Sequence, residues 1–172
     1  MAMQSKKPWK EKLRPDLEPH VEDDPRGRML IPTPMLVAGA IRRVRRGSLT
    51  TPAAVRDALA RKHGADFTCP MTTGIFLNIV AAASDEIEKE TGRPLAPWWR
   101  VVEPDGRLNP KRPPGPARQA TLLRGEGHMV TRNPKDVWTV GDMGASSARR
   151  TTSRRRGGAT GTNAAKALRG RT

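Results

Sequence analysis

Residues 50–92 run TTPAAVRDALARKHG, ADFT, CPMTTGIFLNIVAAASDEIEKETG, and their punctuation is that of two helices with a short turn between them. Thr50 or Thr51 can cap the first helix, and Pro52 sits near its first position, where a missing N–H costs nothing. Ala54, Val55, Ala58 and Leu59 recur at helical spacing, and Gly64 stops the run. After ADFT, Pro70 opens a longer helix that Gly92 closes. Ile75, Phe76, Ile79, Val80 and Ala83 are its expected buried face, and its last turns, DEIEKE, are acidic and solvated. A helix pair whose second member begins with polar residues predicts a helix-turn-helix.

Outward from this pair, the chain predicts three more elements. MLIPTPMLVAGAIRRV (29–44) carries Leu36, Val37, Ala40, Ile41 and Val44 at helical spacing, ended by Gly47. PWWRVVEPDGRL (97–108) predicts strand, turn and strand about Asp105-Gly106, a candidate wing. PARQATLLRGEG (116–127) predicts a last short helix. The fold class expected is therefore mostly α with a small β-hairpin, a winged helix-turn-helix over residues 29–132. Residues 1–28, with Pro8, Pro15, Pro19 and Pro25, predict an extended N-terminal arm on which Trp9 either docks or serves as a surface anchor. Residues 133–172 predict a disordered basic tail, because Arg149, Arg150, Arg154, Arg155, Arg156, Lys166, Arg169 and Arg171 lie among Gly, Ser, Thr and Ala. No internal repeat is visible.

Charge narrows the partners. Lys+Arg is 32 against Asp+Glu 17, a net +15 over 172 residues, and this points to a polyanion. Duplex DNA is the first candidate. No basic amphipathic helix of the membrane-surface kind is present, and no apolar run approaches the length of a membrane span. One cysteine, Cys69, and three scattered histidines, His20, His63 and His128, give no metal-ligand spacing, so no metal and no other cofactor are expected. With no apolar stretch near the N-terminus, a cytoplasmic, nucleoid-associated monomer in a bacterium is the expected setting. The tail either contacts phosphate through counterion release or only solubilises.

The order of motifs resembles the C-terminal domain of the alkylguanine-DNA alkyltransferases, and more closely their alkyltransferase-like relatives. The likeness spans about Met29 to His128 and rests on Gly47-Ser48-Leu49-Thr50-Thr51, on Pro97-Trp98-Trp99-Arg100-Val101-Val102, on Asp105-Gly106-Arg107-Leu108 and on Leu122-Leu123-Arg124-Gly125-Glu126-Gly127-His128. The family's active-site string is Pro-Cys-His-Arg-Val-Val. Here Trp98 fills the cysteine slot and Trp99 the histidine slot. The resemblance implies alkyl transfer to that cysteine, which needs a thiolate, and an indole replaces neither the thiol nor its base. It thus implies a protein that binds alkylated guanine in duplex DNA and passes it to a repair protein without catalysis, with Pro97, Trp98, Trp99, Arg100, Val101 and Val102 lining the base pocket.

The chain departs from the family at two further places. Where the family has a nucleotide-rotating tyrosine this chain has about Thr51, and it contains no tyrosine at all. The family's recognition helix inserts an arginine into the duplex, whereas Pro70–Ala83 has no basic residue. Met71, Thr72, Thr73 and Asn78 are the candidates for contact, either as donors to bases and phosphates and a wedge, or as an ordinary helix start. Arg42, Arg43, Arg45 and Arg46 form either a phosphate-contacting patch or a solvated face. Of Trp98 and Trp99, strand alternation would put one in the core and one in a cleft able to stack on a base; the alternative is that both are core. Cys69, just ahead of Pro70, is either a buried small residue or an alternative alkyl acceptor activated by the helix N-terminus. Two other functions therefore stay open: a divergent methyltransferase using Cys69, and an architectural or regulatory DNA-binding protein.

Overall fold

Pro52 and Pro70 start helices where the sequence predicts them. In the computed structural model, which describes residues 7–141, α2 spans Pro52–His63 and α3 spans Pro70–Thr91. Thr51 caps α2 by accepting the Ala54 N–H at 3.2 Å. Gly64, at φ +62°, ends α2 in the left-handed region that a side chain disfavours. α1, Pro34–Arg42, precedes them and is likewise capped, with Thr33 accepting the Leu36 N–H.

The single helix expected over 29–44 is instead a strand followed by a helix. Pro32-Thr33-Pro34 explains the break, since each proline holds the residue before it in extended backbone. β2, Gly27–Ile31, pairs antiparallel with β1, His20–Asp24, in the register His20↔Ile31. On its other side β2 pairs in parallel with the two-residue β3, Phe67–Thr68. The expected arm, residues 1–28, is therefore largely built into the fold. Ahead of β1 a 3-10 turn, Trp9–Leu13, buries Leu13 and lays Trp9 against the core. It is hooked to the far end of α3: the Lys10 amide donates to Glu86 and its ammonium to Glu90, both at 2.8 Å.

The hairpin expected over 97–108 is also corrected. Trp98–Arg100 is a 3-10 turn, and Val101 and Arg107 make single bridges to Thr50 and Thr139 rather than a ladder with each other. The Asp105-Gly106 turn does form, with Gly106 N–H donating to the Glu103 carbonyl. The hairpin of this region lies downstream: β4, Val130–Arg132, pairs with β5, Trp138–Val140, after α4, Pro116–Gly125. The folded unit thus runs past the expected boundary at 132, and 142–172 of the expected tail lie outside the described residues.

α3 is the axis of the molecule. Leu77, Val80 and Ala83 face a core with Leu30, Val37, Ile41, Val55 and Leu59. Ala81 faces a second core with Trp98, Trp99, Val102, Leu123 and Val140. Covered on both sides, the helix is buried all round from Val80 to Asp85, and small residues suit that tight stretch. No described helix is long and apolar enough to cross a membrane.

Candidate functional site

The string Pro97–Val102 is clipped to the entrance of α2. Within the 3-10 turn, Arg100 N–H donates to the Pro97 carbonyl and Val101 N–H to that of Trp98. The chain then extends beside Thr50: Thr50 N–H donates to the Arg100 carbonyl at 2.8 Å, and Val102 N–H to the Thr50 carbonyl at 2.9 Å. The Gly47–Thr51 motif and the Pro97–Val102 motif, fifty residues apart in sequence, are one structural unit.

Glu126 is the hub of that unit. Its carboxylate accepts the Arg100 guanidinium at 2.7 to 3.1 Å, the Trp99 indole N–H at 3.0 Å and the Gly47 N–H at 3.1 Å. Burial pushes the carboxyl up, but these donors outweigh it and hold it below the usual glutamate range. Arg100 also donates an Nη1 N–H to the Val44 carbonyl. The guanidinium is engaged inside the protein, so the Arg100 expected to line a base pocket is a clamp between the segment after α1, the 3-10 turn and the end of α4. Glu126 lies in the closing Leu122–His128 motif, where nothing in the sequence marks it as a hub.

Both tryptophans are core. Trp98 is 1% exposed and Trp99 9%, their rings edge to face at 6.4 Å. The expectation that one faces a cleft fails because a 3-10 turn does not alternate its side chains as a strand does. Two hollows on the described surface, of about 1050 and 580 Å³, are lined elsewhere. The polar atoms of the site are uneven. Gln119 Nε2 donates to the carbonyls of Trp99 and Val101, at 3.0 and 2.9 Å. Arg112, 4% exposed, donates one guanidinium N–H to the Val101 carbonyl at 2.9 Å. Its Nε and the Trp98 Nε1 have no partner among the described residues. Burial pushes Arg112 below the ordinary arginine range, opposed only by Glu103 at a distance. Neither Arg112 nor Gln119 stood out in sequence; a basic residue among prolines carries no periodic signal.

The remaining expected residues divide. Met71 stands 75% exposed at the start of α3, with Thr72 and Asn78 half-buried beside it. Thr73 is fully buried, its hydroxyl donating back to the Cys69 carbonyl at 2.7 Å, and offers nothing to a ligand. Ile75, expected in the core, is instead 51% exposed, and Leu77 takes the buried position. Met71 and Ile75 therefore form an apolar ridge one turn apart. Thr51 serves as the α2 cap. Arg46 bonds the Gly125 carbonyl at 3.2 Å, while Arg42, Arg43 and Arg45 line the larger hollow. Cys69 is half-buried, its N–H on the Leu30 carbonyl. Burial pushes its thiol up, but Thr72 and the Met71 amide outweigh this and bring it below the ordinary value. It lies beside β2, within reach of Glu22 and Arg26, and no contact links it to the tryptophan core. Among the described residues no group of His, Cys, Asp and Glu is arranged to hold a metal.

No protein-family model matches the chain, and no curated protein does. Among solved structures the chain is similar to S. pombe Atl1 in complex with damaged DNA containing O6-carboxymethylguanine, at 19% identity and a TM-score of 0.44, over 63% of this chain and 88% of that one. It is also similar to S. pombe ATL in complex with DNA, at 20% identity and a TM-score of 0.40, over 62% and 85%.

Proposed function

We propose that this chain is a non-acceptor, alkyltransferase-like protein that binds duplex DNA and recognises alkylated guanine through the Trp98–Arg112 side of the Glu126 hub. In this reading α2 and α3 are the helix-turn-helix and β4–β5 the wing. The observation that carries it is the pair of buried, unpartnered donors, Trp98 Nε1 and Arg112 Nε, at the motif where the family holds its nucleophile. A buried donor without a partner costs about 1–3 kcal/mol, and a bound acceptor would recover that cost. Guanine offers such acceptors at O6 and N7. With an indole in the nucleophile's place, the base is held and not dealkylated.

Because Trp98 is sealed in the second core, base entry requires that core to open. The Met71–Ile75 ridge is the proposed wedge in the minor groove, in place of an arginine. A cytoplasmic, nucleoid-associated setting, a monomeric state and a repair protein as downstream partner belong to the same reading. One experiment tests it: titrate a single duplex with and without one O6-methylguanine, then weigh the protein. The expected result is at least tenfold tighter binding of the alkylated duplex with unchanged protein mass. Equal affinities would replace this reading with an architectural DNA binder, and a methyl group gained on Cys69 would replace it with a transferase.

A further inference from the structure

Several surface arginines are each held by a nearby acid. Arg14 meets Asp16, Arg26 meets Asp24, Arg107 meets Asp105, Arg118 meets Asp85 and Glu88, and Arg132 meets Asp136. Basic side chains without an acid lie elsewhere too, Arg56, Arg61, Arg93, Lys111 and Lys135 among them, but four gather around one apolar hollow. The hollow of about 1050 Å³ between α1 and α2 is rimmed by Arg42, Arg43, Arg45 and Lys62, and none of these side chains has an ion pair or hydrogen bond among the described residues. Its floor is apolar: Met35, Leu36, Ala40, Val44 and Leu49 are half-buried there, with Val55 and Leu59 beneath. No acidic residue lines it.

We infer that this groove is the docking site of an acidic amphipathic helix from a partner protein, a site distinct from the proposed base pocket. An apolar floor inside a cationic rim matches a helix with aliphatic residues at i, i+3, i+4 and i+7 and glutamates on its flanks. A phosphate backbone satisfies the rim but brings nothing apolar for the floor. The chain's own last residues are excluded by sign, since 142–172 carry eight Lys/Arg against one Asp. A second copy is a poor occupant, because the acidic turns of α3 are already engaged: Glu86 and Glu90 by Lys10, Asp85 by Lys89 and Arg118, Glu88 by Arg118. The residue types that bind here are thus aliphatic and acidic together, on a foreign helix.

The test uses the full chain and a fluorescein-labelled peptide of about sixteen residues, leucines on one helical face and glutamates flanking them. A control peptide has the same composition with the leucines scattered round the helix. Fluorescence polarisation should give a Kd on the order of 10 µM for the amphipathic peptide. It should bind at least tenfold more weakly to the Arg42→Glu/Arg45→Glu variant, whose altered residues are exposed and unpartnered. NMR shift changes on the unaltered protein should cluster at Leu36, Ala40 and Leu49, a readout that does not depend on any variant folding. Equal binding of the scattered peptide would overturn the proposal by showing mere charge attraction. Shift changes elsewhere would overturn it, and so would displacement of the peptide by unmodified duplex, which would make the groove a phosphate surface.

Discussion

Arg100, part-buried, and Arg112, fully buried, both bond groups at the tryptophan motif and have opposite surroundings. Each guanidinium nitrogen of Arg100 has an acceptor: Nε and Nη2 on the Glu126 carboxylate, Nη1 on the Val44 carbonyl. Arg112 is more deeply buried, has one carbonyl, and keeps an N–H with no partner. A desolvated cation is tolerable when its charge is neutralised at contact distance and costly when it is not. Arg100 builds the frame, and Arg112 is the residue that stability alone does not explain.

The largest effect falls on the acid that neutralises Arg100. Glu126→Ala strands the Arg100 charge and should cost about 3 kcal/mol or more, measured by urea denaturation, since both side chains are mostly buried at 12% and 7% exposure. A loss below about 1 kcal/mol would mean that Arg100 is not the clamp described. The same pair sets a pH signature. Glu126 titrates below its ordinary value of 4.5 in the folded protein, so its stabilisation is complete above that value and is lost as pH falls through the lowered one. Asp85, which burial raises but Lys89 and Arg118 hold down on balance, adds in the same direction. Denaturation between pH 6 and 3 should therefore steepen toward acid, and less so in Glu126→Gln.

Arg112 should behave the other way. Arg112→Met removes a poorly paired buried charge and should leave stability within about 1 kcal/mol of the starting protein or raise it, while discrimination between alkylated and unmodified duplex disappears. A variant strongly destabilised, with discrimination intact, would make Arg112 a structural residue like Arg100. The smallest effect belongs to Arg46→Ala. Its exposed side chain holds only the Gly125 carbonyl, and the change in melting stability should stay below about 0.5 kcal/mol.

Local signals made much of the helical frame legible in sequence. Thr51-Pro52 with Gly64, Pro70 with Gly92, and Pro116 each marked a real helix end within a residue or two. What stayed hidden was non-local. β1 reads HVEDD, with no apolar alternation, and becomes a strand because β2 supplies the other half of the ladder and the core contact. Thr73 and Ile75 exchanged their expected roles because α3 is covered on two sides, so a single amphipathic stripe misassigns its edges. The motif string was visible, but its orientation was not. Trp98 and Trp99 are both inward through a 3-10 turn, and the Glu126 contacts close a span of 26 or more residues.

The hook of Lys10 on Glu86 and Glu90 has a consequence for assembly order. It joins residues 76 and 80 positions apart, whereas α2, β3 and α3 are contiguous in sequence. Closing so long a span costs chain entropy that is recovered only once the far end of α3 is in place. On a ribosome Trp9–Leu13 emerges before α3 and waits for that helix. In the finished protein the same hook is the natural place for opening to begin, so backbone amides of Trp9–Leu13 should exchange with deuterium before those of Val80–Asp85.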